Sequence, residues 1–197
     1  MPAPITLVIA GTKDTTPEEL EWSQNLPKDT YQVNVMKDPS LPLSYLKYIL
    51  ENYQDLPEYV LFLQANPFQF TTLPKEKFLT TLREEPSILF DKTQWIQLLR
   101  ANGQGFPHHP GLPIAEAFSK VFPSLKVPPV FEFSAGSQFM TTKARIQAHS
   151  KGFYEDLLKK IKAKEIDNFT IERLWFLILV HPVTLVAPTP TNNHPPM

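Results

Sequence analysis

Tyr59-Val-Leu-Phe-Leu-Gln-Ala-Asn-Pro-Phe68 decides the fold. Val60 to Leu63 form an unbroken apolar run, bounded by Leu56-Pro57-Glu58 before it and by Asn66-Pro67 after it. Such a run reads as a central strand covered on both faces, since a half-exposed strand would alternate. It turns polar at Gln64 and Asn66, and Pro67 drives Asn66 out of the helical region. In open α/β sheets, ligands sit beyond the carboxyl ends of the central strands. Gln64 and Asn66 are therefore the first candidates for a binding edge. The alternative is that they only end a strand.

Upstream of this stretch, Ile5-Thr-Leu-Val-Ile-Ala10 reads as a strand rich in β-branched residues. It empties into a turn at Gly11-Thr-Lys-Asp. Thr16-Pro17-Glu18-Glu19 then opens a helix, with Thr16 and Glu19 as a capping box and Pro17 at the first helical position. Strand, glycine turn and helix could together cradle a phosphate, but Glu18 and Glu19 oppose an anion there. Tyr31 to Met36 alternates and suits a second strand. Leu43, Leu46, Leu50 and Tyr53 share one helical face before the third strand. The order strand, helix, strand, helix, strand predicts a parallel sheet with right-handed crossovers. The fold class is thus α/β, a single domain over residues 1–186 with a mainly parallel central sheet flanked by helices.

Downstream, helices are expected at Pro74 to Arg83 and at Asp91 to Arg100. A glycine-rich loop, Asn102-Gly-Gln-Gly-Phe-Pro-His-His-Pro-Gly-Leu-Pro113, follows them. Further helices are expected from Pro113 to Phe122, Ser150 to Lys162 and Phe169 to Val180, with a strand at Val130 to Phe133. Ala187 to Met197 carries four prolines and no apolar periodicity, and reads as a disordered or extended tail.

Composition narrows the function classes. With 197 residues, 42% apolar and 20% charged, the chain can build a substantial core. A net charge of -1 gives no basic footprint for nucleic acid. The absence of cysteine removes disulfides, thiolate catalysis and cysteine zinc sites. The longest apolar stretch, Leu174 to Val180, is too short to cross a bilayer, and the start lacks a secretory signal. A soluble, cytoplasmic protein is the expectation. Its 21 prolines against 6 glycines imply many fixed connections.

Three places carry candidate chemistry. His108 and His109 stand between prolines in the long loop. They would contact substrate, or only backbone and water, and no second histidine at helical spacing makes a metal pair with them. Glu172 lies in an apolar helix beside Arg173, so its carboxylate must either be ion-paired or serve as a partly desolvated general base. Ser134-Ala-Gly-Ser-Gln138 puts small residues after a strand, where Gly136 allows close approach of a ligand or another backbone and Gln138 faces a cleft or satisfies a bend.

These segments resemble a known family. Leu56-Pro-Glu-Tyr-Val-Leu-Phe-Leu-Gln-Ala-Asn-Pro-Phe68, Gly105-Phe-Pro-His-His-Pro-Gly-Leu-Pro-Ile114, Phe131-Glu-Phe-Ser-Ala-Gly-Ser-Gln-Phe139 and Ile171-Glu-Arg-Leu-Trp175 are similar, in order and spacing, to segments of the family called domain of unknown function 3431. That family looks like a compact relative of glycosyltransferases with the GT-A fold. The resemblance implies a nucleotide-sugar donor, held at the strand ends with Mn²⁺ or Mg²⁺, and a hydroxyl-bearing acceptor, a small molecule or glycan. It implies donor contacts near Gly11, Lys13, Gln64 and Asn66. It implies substrate contacts near His108, His109, Ser134, Gly136 and Gln138, and Glu172 as the base.

The chain departs from the family pattern on the donor side. Asn66 stands where the family has an acidic residue, and an amide contributes no formal charge to hold a hard cation. Pro39-Ser-Leu-Pro-Leu-Ser44 replaces a stretch that carries an arginine, a bidentate phosphate ligand. Lys13 substitutes only as a point charge. Two readings follow: a glycosyltransferase that works without metal, and a catalytically degenerate protein on the same fold that binds a glycan or a protein partner.

Overall fold

The computed structural model describes residues 5–71, 73–84, 96–100 and 111–180. The expected tail and the histidine loop at His108 and His109 lie outside the described residues.

Strand β1 (Ile5–Gly11) is buried at all seven positions. A strand whose side chains alternate between faces can be so covered only when both faces are packed. Thr16 caps helix α1 (Pro17–Gln24), its hydroxyl accepting from Glu19 N while Glu19 Oε2 accepts from Thr16 N. Strand β2 (Tyr31–Lys37), helix α2 (Leu41–Asn52) and strand β3 (Tyr59–Gln64) follow. β1 pairs in parallel with β2 on one side and with β3 on the other.

The sheet is mixed. Its order is β2-β1-β3-β6, and β6 (Phe139–Thr142) runs antiparallel to β3, opposing Phe139 to Phe62 and Thr142 to Tyr59. Helix α3 (Lys75–Glu84) lies between β3 and the second sheet in sequence. That second sheet is an antiparallel pair, β4 (Ile96–Arg100) with β5 (Val130–Ser134). The expected helix from Asp91 to Arg100 is corrected here: Ile96–Arg100 is a strand, and residues 91–95 are outside the description. Leu98 opposes Glu132 and Leu99 opposes Phe131, so a partner strand about thirty residues away overrides the local helical spacing.

Among the described residues, four helices follow: α4 (Ile114–Val121), α5 (Lys143–Gln147), α6 (Lys151–Lys162) and α7 (Asn168–Glu172). The expected helix from Phe169 to Val180 is also interrupted. Asp167 caps α7 through Phe169 N and Thr170 N, a turn at Arg173 and Leu174 breaks it, and Phe176–Val180 continues as a wider π-type turn.

Two cores sandwich the sheet. Leu7, Ile9, Leu61 and Leu63 face Trp22 and Leu26 of the α1 segment and Phe78, Leu79 and Leu82 of α3. Val8, Ala10, Val60 and Phe62 face the other way, onto Tyr45 and Ile49 of α2, Phe118 of α4, Tyr154 of α6 and Trp175. Tyr45 is the hub of that second core, its ring centroid 4.6 Å from Phe62 and 6.2 Å from Trp175.

Candidate functional site

The strand order fixes where a site can open. The chain leaves β1 for β2 on one side and returns across β1 to β3 on the other. The connections therefore diverge between the carboxyl ends of β1 and β3, the switch point where open α/β sheets hold ligands. Gly11 closes β1. A Cβ there would lie 2.7 Å from Thr15 Oγ1, so only glycine allows the following turn to fold this tightly. Thr12 N donates to that same oxygen at 2.8 Å, and Lys37 Nζ donates to Thr15 O at 3.2 Å. Lys13 stands exposed on the turn.

Across the switch point, Gln64 ends β3, and Ala65 N donates to Ala10 O at 2.9 Å. Asn66 follows in a non-helical conformation (φ -111°, ψ 86°) and leads into the 3-10 turn Pro67–Phe70. Its Oδ1 is buried and accepts no hydrogen bond from the described residues.

One turn gathers Gly136, Gln138 and Glu172. Gly136 (φ +69°) and Ser137 (φ +56°) are successive left-handed residues after β5, a geometry that favours glycine. The Gly136 peptide is held at both ends. Gln64 Nε2 donates to Gly136 O at 2.6 Å, and Gly136 N donates to Glu172 Oε1 at 3.0 Å. Beside it, Gln138 Nε2 donates to Pro67 O at 3.1 Å, and Tyr45 Oη donates to Ser137 O at 2.9 Å. Residues separated by up to 127 positions, Tyr45 and Glu172 at the extremes, thus form one polar clasp.

The charge in this clasp is paired. Arg173 Nη1 lies 2.8 Å from Glu172 Oε1, with 4% of the arginine side chain and 16% of the glutamate side chain exposed. The guanidinium stacks 4.7 Å above the Phe133 ring, where its cation meets the ring's negative face. Burial, and then the Glu172 charge, hold the Tyr45 hydroxyl well above the ordinary phenol range. Tyr45 is therefore a fixed neutral donor. Ser134 ends β5 opposite Ile96, and its side chain is outside the description.

The open space lies on the other face of the sheet. A cleft of about 400 Å³ runs between α1 and α3, with Trp22, Asn66, Phe68 and Leu79 as its inner wall and Glu18, Glu21, Lys75, Glu76 and Arg83 among its outer residues. Trp22 Nε1 donates to Ala65 O at 2.8 Å, and its ring meets Phe68 edge-on at 6.1 Å. Lys75 Nζ sits 5.1 Å from the centre of the Phe68 ring. Of the candidate site residues named from the sequence, Asn66 is the one that lines this cleft, together with Glu18 and Glu19, which oppose an anion there.

Structure thus brings Gln64, Gly136, Gln138 and Glu172 together, with Asn66 beside them and Gly11 and Lys13 across the switch point. Sequence reasoning missed Tyr45 and Trp22, which it did not single out. Their polar atoms hydrogen-bond to backbone oxygens, which no local pattern signals. Among the described residues no group of three or more His, Asp or Glu is gathered to hold a metal ion, and no helix is long and apolar enough to cross a membrane.

A family model described as Protein of unknown function (DUF3431) matches residues 89–187. No curated protein and no solved structure matches the chain.

Proposed function

The chain belongs to the DUF3431 family, whose description carries no activity, and from its own residues we propose a glycosyltransferase-like, GT-A-related protein that seats a nucleotide sugar at the carboxyl ends of β1 and β3 and passes the sugar to a hydroxyl acceptor. The observation that carries this reading is Asn66. A buried carbonyl oxygen without a donor costs about 1–3 kcal/mol, and this one sits at the switch point, on the wall of an open cleft. A ribose or sugar hydroxyl supplies the missing donor. Lys13, exposed across the switch point, offers a point charge to a diphosphate.

Mn²⁺ or Mg²⁺, implied by the resemblance, does not fit the described residues. A hard cation asks for several convergent charged oxygens, Asn66 is neutral, and the glutamates around its cleft do not converge in a group of three that could hold a metal ion. No step is assigned to a metal. In the transfer step, Glu172 takes the acceptor proton as the acceptor oxygen bonds to the sugar carbon and the nucleotide departs. For that, Oε1 must give up its bond to Gly136 N and loosen its pairing with Arg173 Nη1.

The same bond favours the second reading, a catalytically degenerate protein that binds the nucleotide sugar or a glycan without turnover. A carboxylate oxygen already held by a backbone amide and an arginine is a positioning group first. A thermal-shift screen of UDP, GDP, CDP and dTDP, and of their sugars, with and without Mn²⁺, tests the shared premise. At least one should raise the melting temperature by mass action, and a flat screen sinks both donor readings. Glu172→Gln then separates them. Product formation by the wild type that disappears in Glu172→Gln supports transfer, and a bound donor that is never consumed supports the degenerate reading.

A further inference from the structure

We propose that β2 is a homodimer edge, pairing antiparallel with β2 of a second copy around Val33. Among the described residues no strand pairs with its outer side, where Tyr31 N alone is taken, donating to Pro27 O at 2.9 Å. Thr30 O accepts from Ile5 N at 2.8 Å, and Asp38 N donates to Gly11 O at 3.4 Å. The register between them is unbroken. Even-numbered residues therefore turn their peptide groups to β1, and Val33 and Val35 turn theirs to the open edge.

Proteins blunt such edges with charges, prolines or bulges. From Tyr31 to Met36 this strand has none of these, and its one charge is Lys37 at the last position. Val33 and Val35 are 39% and 41% exposed, although they are apolar and share a face with the buried Tyr31. Together with Leu20 and Leu26 they line a groove of about 390 Å³ along the edge.

The strand and its flanks complement themselves. A two-fold axis at Val33 sets Val33 opposite Val33 and Tyr31 opposite Val35, all on the groove face. The same register sets Lys37 opposite Asp29, both exposed, and brings Lys28 toward Asp38. Lys37 Nζ would then leave Thr15 O or share it. A net charge of -1 gives two copies little reason to repel.

The register supplies the test. Light scattering on the full chain should give twice the monomer mass, rising with concentration. Val33→Lys should return the monomer mass with an unchanged circular dichroism spectrum. Lys37→Glu should weaken the dimer about tenfold, and adding Asp29→Lys should restore it, which decides the matter if Val33→Lys does not fold. The chain has no cysteine, so Val33→Cys can form only an intermolecular disulfide. The Cα separation of such a pair, about 5.5 Å, lies within disulfide reach. Monomer mass at every concentration overturns the proposal. So does a dimer indifferent to Val33→Lys, or one in which Val33→Cys fails to cross-link.

Discussion

Two regions meet at the carboxyl end of β3, and they spend their polar groups in opposite ways. On the Tyr45 face, Gly136, Gln64, Gln138, Glu172 and Arg173 bond to one another or to backbone, while the buried Ser137 Oγ and Trp175 Nε1 lack a partner among the described residues but are enclosed in the core. On the Trp22 face, carboxylates, Lys75 and Arg83 stand around open space, and the buried oxygen of Asn66 has no donor among the described residues. The first region closes the fold and the second leaves room for a ligand. Polar residues at the end of an apolar run therefore mark a place, and only their partners say whether that place is a weld or a site.

The largest expected contrast is in charge removal. Arg173→Met strips a mostly buried carboxylate of its cation and the Phe133 ring of its stacked guanidinium, and should cost about 3 kcal/mol in urea unfolding. Arg83→Met, on the cleft rim, should stay within about 0.5 kcal/mol. Equal losses would break the distinction between the two regions.

Next in size is the turn itself. Gly136→Ala forces a side chain into φ +69° and should cost about 1–2 kcal/mol. The same measurement sharpens the comparison, because the loss should come with loosened Gln64 and Glu172 contacts and leave the cleft unchanged.

A smaller effect separates the faces by pH. His149 lies in the Tyr45-face core, its ring 4.3 Å from Phe153 and stacked on it, and burial lowers its pKa. Above the unfolded value of about 6.5 both states are neutral, so the histidine adds no pH dependence there. As pH falls through that value the unfolded chain takes up the proton first, and stability declines. Urea midpoints should therefore fall as pH drops below about 6.5 in the wild type, and His149→Phe should flatten that part of the curve. An unchanged slope in His149→Phe would assign the decline to other groups.

Much of the fold was legible because its signals are local. β3 shows as a continuous apolar run, β1 as a stretch rich in β-branched residues and α1 as a capping box. β4 was misread because Trp95, Ile96 and Leu99 also fit a helical face, and its partner, Val130–Ser134, lies far along the chain. β6 has only four residues, too few to show alternation. The last helix is apolar all round, so no period marks its break at Arg173. In the candidate site, Gln64 and Glu172 stand out as polar residues within or after apolar stretches, but their nearness to Gly136 and Gln138 came only from the family resemblance. Their satisfaction of one another could not be read, since it rests on backbone groups positioned by tertiary structure. The cleft was hidden because Trp22 and Phe68 carry the same spacing signal as core residues.

Asn66→Ala tests the central claim most directly. It removes the unmet acceptor, so the unliganded melting temperature should hold or rise slightly, while the stabilisation given by the best nucleotide sugar should be largely lost. A variant that keeps the full ligand-induced shift would contradict a donor seat at the switch point.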